Sequence, residues 1–231
     1  VIKRLESLLH LDARTVDGRD WGAVLSEVKE VGEVVRPLDR PLSSRPSVVV
    51  MRGNLAPDGS ILKLGNADAK TTLFRGKARV YPSQEAALEG LRRGDLVDET
   101  VVVLRGMGPR GGPGMALASG FVAALDGAGR STAVAVVTDG QLSGLNRGIA
   151  IGQVSPEAAM GGLLALVEDG DEIVIDVERH TVTLEVAEET LAARRATTKP
   201  LVPADERGWL SIYARTVAPM QSGAVLVKPQ G

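Results

Sequence analysis

Residues 97–115 read VDETVVVLRGMGPRGGPGM, and the two halves of that stretch decide the fold class. The first half is a run of β-branched apolar residues, which favours a strand. The second is too rich in glycine and proline to be anything but loop. Upstream, SQEAALEGLRRG (83–94) reads as a helix capped by Ser83 and closed by Gly94. Downstream, ALASGFVAALDGAG (116–129) reads as a helix and STAVAVVTDG (131–140) as a fully buried strand ending in an Asp139-Gly140 turn.

Further strands are expected over SVVVMRG (47–53), ILKLGN (61–66), KARVYP (77–82) and GIAIGQV (148–154). SPEAAMGGLLALVEDG (155–170) reads as a helix with Ser155 as N-cap, Pro156 in the first turn and Glu157 complementing the dipole. DEIVIDVERHTVTLEV (171–186) alternates like a hairpin about Glu178 and Arg179, and AEETLAARRA (187–196) is a last helix. Strands and helices intermix without a strict βαβ repeat. The expected fold is therefore mixed α/β, a β-barrel-like swivelling β/β/α domain with flanking helices.

Leu5, Leu8 and Leu9, then Trp21, Val24, Leu25 and Val28, give two helical stripes near the start. RPLDRPLSSRPS (36–47) has the proline and serine content of a linker. The expected organisation is a preceding helical segment and linker over 1–46, the main domain over 47–199, and an apolar tail over 200–231 packing on another domain or subunit. The chain begins with Val inside a helical pattern, which reads as a fragment or processed piece.

Composition excludes several functions. Of 231 residues, 27 are Lys or Arg and 29 Asp or Glu, so no basic surface invites nucleic acid or an anionic membrane. Aromatic residues make up only 3%, too few for base-stacking platforms. With no cysteine, the chain offers no disulfide, thiol nucleophile or iron–sulfur ligand of its own; with only His10 and His180, it offers no multi-histidine metal site. No apolar run reaches the ~20 residues of a membrane span. The expectation is a cytoplasmic globular piece.

Two segments bear on chemistry. In GMGPRGGPGM the backbone amides of Gly111, Gly112 and Gly114 could approach an anion, and Arg110 offers a forked contact to a carboxylate; a purely structural turn is the competing reading. The letters GMGPRG also match the spacing of a dinucleotide fingerprint, but Pro113 and Gly114 interrupt where its helix should run. In TDGQLSGLNRG the strand end places Asp139, Ser143 and Gly144 where ligands bind α/β sheets. A serine needs an activating partner, and neither histidine lies in a matching motif. Ser143 and Asp139 also fit ordinary turn roles.

RGNLAPDG, RGKARVYPSQEAAL, GPRGGPGM, VTDGQLSG, GQVSPEAAMGG, EDGDEIVIDV and LAARRA occur in an order that resembles the C-terminal domain of the dihydroxy-acid and phosphogluconate (sugar-acid) dehydratases. That resemblance covers roughly residues 36–220. It implies a hydro-lyase that converts a 2,3-dihydroxy carboxylic acid, a branched-chain amino-acid precursor or a sugar acid, to a 2-keto acid. It also implies an iron–sulfur cluster and Mg2+ held mostly by a preceding N-terminal domain, with a homodimer or larger assembly. Ser143 matches the family's loop serine, which removes the C2 proton as an alkoxide favoured by a nearby cation. Arg110, Gly111, Gly112, Gly114, Asp139 and Gly144 would line the substrate pocket.

The sequence departs from the family at that pocket. Ala116-Leu117 replaces a usual Pro-Glu whose glutamate helps bind magnesium, Gln141-Leu142 precedes Ser143 in place of Arg-Phe, and Gln153 stands for a frequent His. These changes indicate a divergent subfamily. They leave open a non-catalytic module that binds a carboxylate or a partner, and a swivelling domain supplied in trans.

Overall fold

The computed structural model describes residues 1–29, 31–43, 46–64, 72–143, 147–201 and 207–227. Parts of two expected features, Gly65-Asn66 of ILKLGN and Ser44-Arg45 of the linker, lie outside those residues. Two compact units are present, Val1–Arg45 and Pro46–Gly231. In the first, Ile2–Leu8 is a 3-10 helix where the leucine stripe predicts a helix, and α1 is Trp21–Ser26. The Asp20 carboxylate caps α1 by accepting from the Ala23 amide at 2.7 Å.

The second unit is built on eight strands: β1 (Val48–Met51), β2 (Gly59–Lys63), β3 (Leu73–Tyr81), β4 (Thr100–Leu104), β5 (Val134–Thr138), β6 (Ala150–Ser155), β7 (Glu172–Asp176) and β8 (Thr181–Leu184). They form one sheet in the order β1-β2-β6-β5-β4-β3-β7-β8. Pairing is parallel from β3 through β4 and β5 to β6, and antiparallel on both flanks. The helices α2 (Gln84–Arg93) and α3 (Ser119–Gly127) connect β3 to β4 and β4 to β5. A consecutive βαβαβ run therefore surrounds the glycine loop, contrary to the expectation of no such repeat. The hairpins at both flanks conceal it, because they make the order of elements look irregular.

The sheet curls into a nearly closed barrel, in agreement with the barrel-like expectation. Its two edge strands meet where Arg52 bridges Thr181: the Arg52 amide donates to the His180 carbonyl at 2.9 Å, and the Val182 amide to the Arg52 carbonyl at 2.7 Å. Asn54 adds a side-chain imitation of a strand, donating to the Leu184 carbonyl at 2.9 Å and accepting from its amide at 2.8 Å. Removing both bonds leaves two backbone groups short of partners, so Asn54→Ala should cost about 2 kcal/mol in a urea unfolding titration.

Alternation along the central strands explains why β4 and β5 are buried throughout. Val101, Val103, Ala135 and Val137 fill the barrel interior with Met51, Leu62, Ile151 and Ile173. Val102, Leu104, Val134 and Val136 face outward beneath Ala87 of α2 and Phe121 and Leu125 of α3. Ser83 caps α2 by accepting from the Ala86 amide, and Gly94 ends it in the left-handed conformation, both as the sequence predicts.

The helix expected over 155–170 is not formed. Ser155 ends β6 and gives its hydroxyl to Gln221 at 2.6 Å, so it caps nothing. Two short 3-10 turns, Ala158–Met160 and Leu163–Leu166, replace the helix. Gly161 separates them with a φ of 79°, and at Gly162 the chain passes so close to the Pro156 carbonyl that a Cβ would lie 1.9 Å from it. The hairpin about Glu178 and Arg179 is present as β7 and β8, and α4 (Glu188–Thr197) follows. The tail contributes α5 (Gly208–Thr216), with Val217 fully buried in the same unit.

Candidate functional site

Three adjacent parallel strands, β3, β4 and β5, end on one edge of the sheet, where α/β proteins place their ligands. A cleft of about 570 Å³ opens there. Pro82, Ser83 and Gln84 border it after β3; Arg105, Met107, Gly111 and Gly112 border it after β4; Leu201 and Leu210 close another side. Leu117, 55% exposed, also lines it. It presents an apolar surface at the position where the resemblance leads to the expectation of a carboxylate.

Ser143 is exposed on the loop after β5. Its segment is tied to the cleft wall: Leu117 bridges Gln141, the Gln141 amide donates to Ala116 and the Ala118 amide to Gln141, both at 3.0 Å. The Ser143 amide donates to the Ser119 hydroxyl at the start of α3 at 2.6 Å, and Lys63 donates to the Leu142 carbonyl. Gln153 has a left-handed φ of 58° and steadies the same turn, its amide donating to the Gly140 carbonyl at 2.9 Å.

The glycine loop departs from the expected anion receptor. The Arg110 amide lies 3.0 Å from Glu157 Oε1, and the Gly111 amide 3.0 Å from Glu157 Oε2. The Gly112 amide donates to the Gly108 carbonyl at 2.8 Å. These donors are therefore occupied by the protein itself. The Arg110 side chain donates to the Val217 carbonyl at 3.2 Å, while its buried Nε has no hydrogen-bond partner among the described residues. Gly114 is exposed with a φ of 86°, and Gly144 lies outside the described residues.

Asp139 also takes a different part from direct substrate contact. It is fully buried and accepts from the amides of Met107 at 2.8 Å, Ala158 at 2.9 Å and Gly106 at 3.1 Å. A carboxylate with no exposed surface holds the loop from beneath rather than touching a ligand. Burial raises the Asp139 pKa, opposed by those amides. Burial likewise raises the Glu157 pKa, opposed by the amides of Gly111 and Arg110. Arg105 donates to the carbonyls of Ala165 at 2.8 Å and Val167 at 2.9 Å, and burial lowers its pKa.

Sequence reasoning overlooked Arg105, Ser119 and Glu157. Glu157 carried one usable signal, an acidic residue two positions after a buried strand in a chain that also holds a glycine loop. Helix capping accounted for it equally well.

The resemblance implies a cluster and Mg2+. The chain has no cysteine, and the described residues contain no group of three or more His, Asp or Glu placed to hold a metal ion. These residues do not fit either group by themselves. No helix among the described residues is long and apolar enough to cross a membrane.

A family model described as Dihydroxy-acid/6-phosphogluconate dehydratase C-terminal matches residues 33–224. The dihydroxy-acid dehydratase of Ignicoccus hospitalis is 44% identical over 229 residues, covering 98% of this chain and 42% of that protein. That of Roseiflexus castenholzii is 43% identical over 222 residues, covering 95% of this chain and 39% of that protein. That of Aquifex aeolicus is 39% identical over 229 residues, covering 98% of this chain and 41% of that protein. The chain thus spans about two fifths of the length of these curated relatives. On this match, carried across both the strand-end cleft and the serine loop, the chain belongs to the dihydroxy-acid/6-phosphogluconate dehydratase C-terminal family.

Proposed function

We propose that the chain is the C-terminal part of a hydro-lyase that dehydrates a 2,3-dihydroxy carboxylic acid to a 2-keto acid. One observation carries the reading: the serine loop of a dehydratase-family domain is fastened through Gln141 to Leu117, a wall residue of the cleft at the strand ends. The relatives' name, dihydroxy-acid dehydratase, supports the substrate class, which we read as a branched-chain precursor or a sugar acid. The iron–sulfur cluster and Mg2+ belong to the whole protein, with ligands from outside this chain. A cytoplasmic homo-oligomer is part of the same proposal.

In its deprotonated form Ser143 takes the C2 proton. The C2–H bond breaks, its electron pair forms the C2=C3 double bond, and the C3–O bond breaks to release hydroxide, which becomes water by taking the proton that Ser143 acquired and so restores the base. The enol gives up its 2-hydroxyl proton to solvent as C3 takes one from solvent, leaving the 2-keto acid. The walls at Gly111, Gly112 and Leu117 hold the substrate carbon chain and limit water at the reacting carbons.

The exposed Leu117 gives a second reading its footing, a module that binds a carboxylate without transforming it. Assaying 2-keto acid production by the full-length protein tests the first reading, with calorimetry of the 231-residue chain alongside. Turnover of the dihydroxy acid is the expected result. Tight carboxylate binding by the isolated chain, with no turnover by the full-length protein, favours the module.

A further inference from the structure

Glu157 takes no part in the chemistry assigned to Ser143, yet it occupies the position an external anion would take in the glycine loop. It is 2% exposed. Oε1 lies 3.0 Å and Oε2 3.1 Å from the Arg110 amide, and Oε2 lies 3.0 Å from the Gly111 amide. The loop passes over this carboxylate more closely than any side chain would allow. A Cβ at Gly108 would lie 2.4 Å from Glu157 Oε2 and 2.8 Å from its Cβ. Asp139 completes the arrangement from the end of β5, binding the amides of Gly106 and Met107 in the loop and of Ala158 beside Glu157. Backbone amides converging on a buried carboxylate form a concave anion nest, here filled from within.

The fixed loop in turn fixes the serine. The Met107 carbonyl accepts from the Ala116 amide at 3.0 Å, Ala116 and Ala118 pair with Gln141 at 3.0 Å, and the Ser143 amide rests on Ser119 at 2.6 Å. This path of backbone hydrogen bonds runs from the carboxylate to the candidate base without crossing a flexible side chain, apart from the Ser119 hydroxyl. We propose that Glu157 is a positioning residue whose carboxylate serves as the built-in anion of the glycine loop and thereby holds the Ser143 segment at the cleft. The structural part stands by itself; the catalytic part rests on the dehydratase reading.

Amide hydrogen exchange in the 231-residue chain reads the first part directly. Glu157→Ala should lower protection at Arg110 and Gly111 by at least ~10-fold, with β4 and β5 amides unchanged. Glu157→Gln, whose oxygen placed at the Oε2 position still accepts from the Gly111 amide while its NH2 replaces the Oε1 that faces the Arg110 amide, should keep protection at Gly111 within about threefold of wild type and lose part of it at Arg110. If Glu157→Ala does not fold, Gly108→Ala pushes the carboxylate off the same amides and should give the same loss. Unchanged protection at Arg110 and Gly111 in Glu157→Ala, or in Gly108→Ala where Glu157→Ala does not fold, overturns the proposal.

Kinetics of the full-length protein read the second part. Glu157→Ala should lower kcat by at least ~10-fold with KM near wild type, and Glu157→Gln should restore part of it. Loss of all turnover in Glu157→Gln with protection at Gly111 intact overturns positioning in favour of a role for the ionised carboxyl. Full kcat in Glu157→Ala with protection lost overturns it as well. Lost protection in Glu157→Ala together with an inactive wild type supports the internal anion and counts against the dehydratase reading alone.

Discussion

Ser143→Ala in the full-length protein should lower the rate of dehydration by at least ~100-fold, the least expected on removing an essential general base. The expectation is specific because the change is small. Ser143 is exposed, and the contact that fixes its segment to α3 is made by its backbone amide, which alanine keeps. The Leu117–Gln141 bridge and the cleft wall are likewise independent of the hydroxyl. The variant should therefore still fold and unfold in one cooperative thermal transition. KM should move much less than kcat, since the hydroxyl is assigned to the transition state and not to binding. Activity and stability measured on the same preparations separate loss of a base from loss of a fold. Near-normal turnover in Ser143→Ala would remove the serine from the chemistry.

The barrel seam gives the largest expected effect on stability. Gly53 follows the bridging residue Arg52 and has a φ of 137°, and a Cβ there would lie 2.1 Å from the Val182 carbonyl oxygen. Gly53→Ala combines backbone strain with a clash against an atom that cannot rotate away, for a cost of roughly 4 kcal/mol. Most of the margin of a typical domain would go with it. Relief by separating the edges would break the Arg52–His180 and Val182–Arg52 hydrogen bonds. The control is Gly94→Ala, at a left-handed position with nothing within 4 Å of the added carbon, which should cost only about 1 kcal/mol. Urea midpoints of the two variants should differ clearly, and equal midpoints would show that the seam is not tightly closed.

The elements with local chemistry were legible in the sequence. Ser83 and Gly94 bracket α2 as their capping preferences require, and the alternation around Glu178 and Arg179 yields the β7–β8 hairpin. What escaped was set by distant neighbours. The parallel order of β3 to β6 depends on which strands touch, and antiparallel partners at both flanks leave no trace of it in the element order. The cap signals at Ser155 and Glu157 are real local preferences, but Gly161 and Gly162 break the helix and Glu157 is drawn to amides 46 and 47 residues away. For the same reason GMGPRGGPGM looked like an empty anion loop, since nothing within it reveals that the anion is supplied by the chain itself.

Glycine Gly144 beside Ser143 lies outside the described residues, so the site rests on Ser143, the cleft and the loop. The family assignment says what kind of enzyme such a domain serves, and the strand-end geometry says where this chain would act in it. Their common claim is that proton removal from C2 occurs at the Ser143 loop. Turnover of a 2,3-dihydroxy acid carrying deuterium at C2, by the full-length protein and its Ser143→Ala variant, tests that claim most directly. The wild type should form 2-keto acid more slowly from the deuterated than from the ordinary substrate, and the variant should form at least ~100-fold less. Equal 2-keto acid formation by wild type and variant would contradict it.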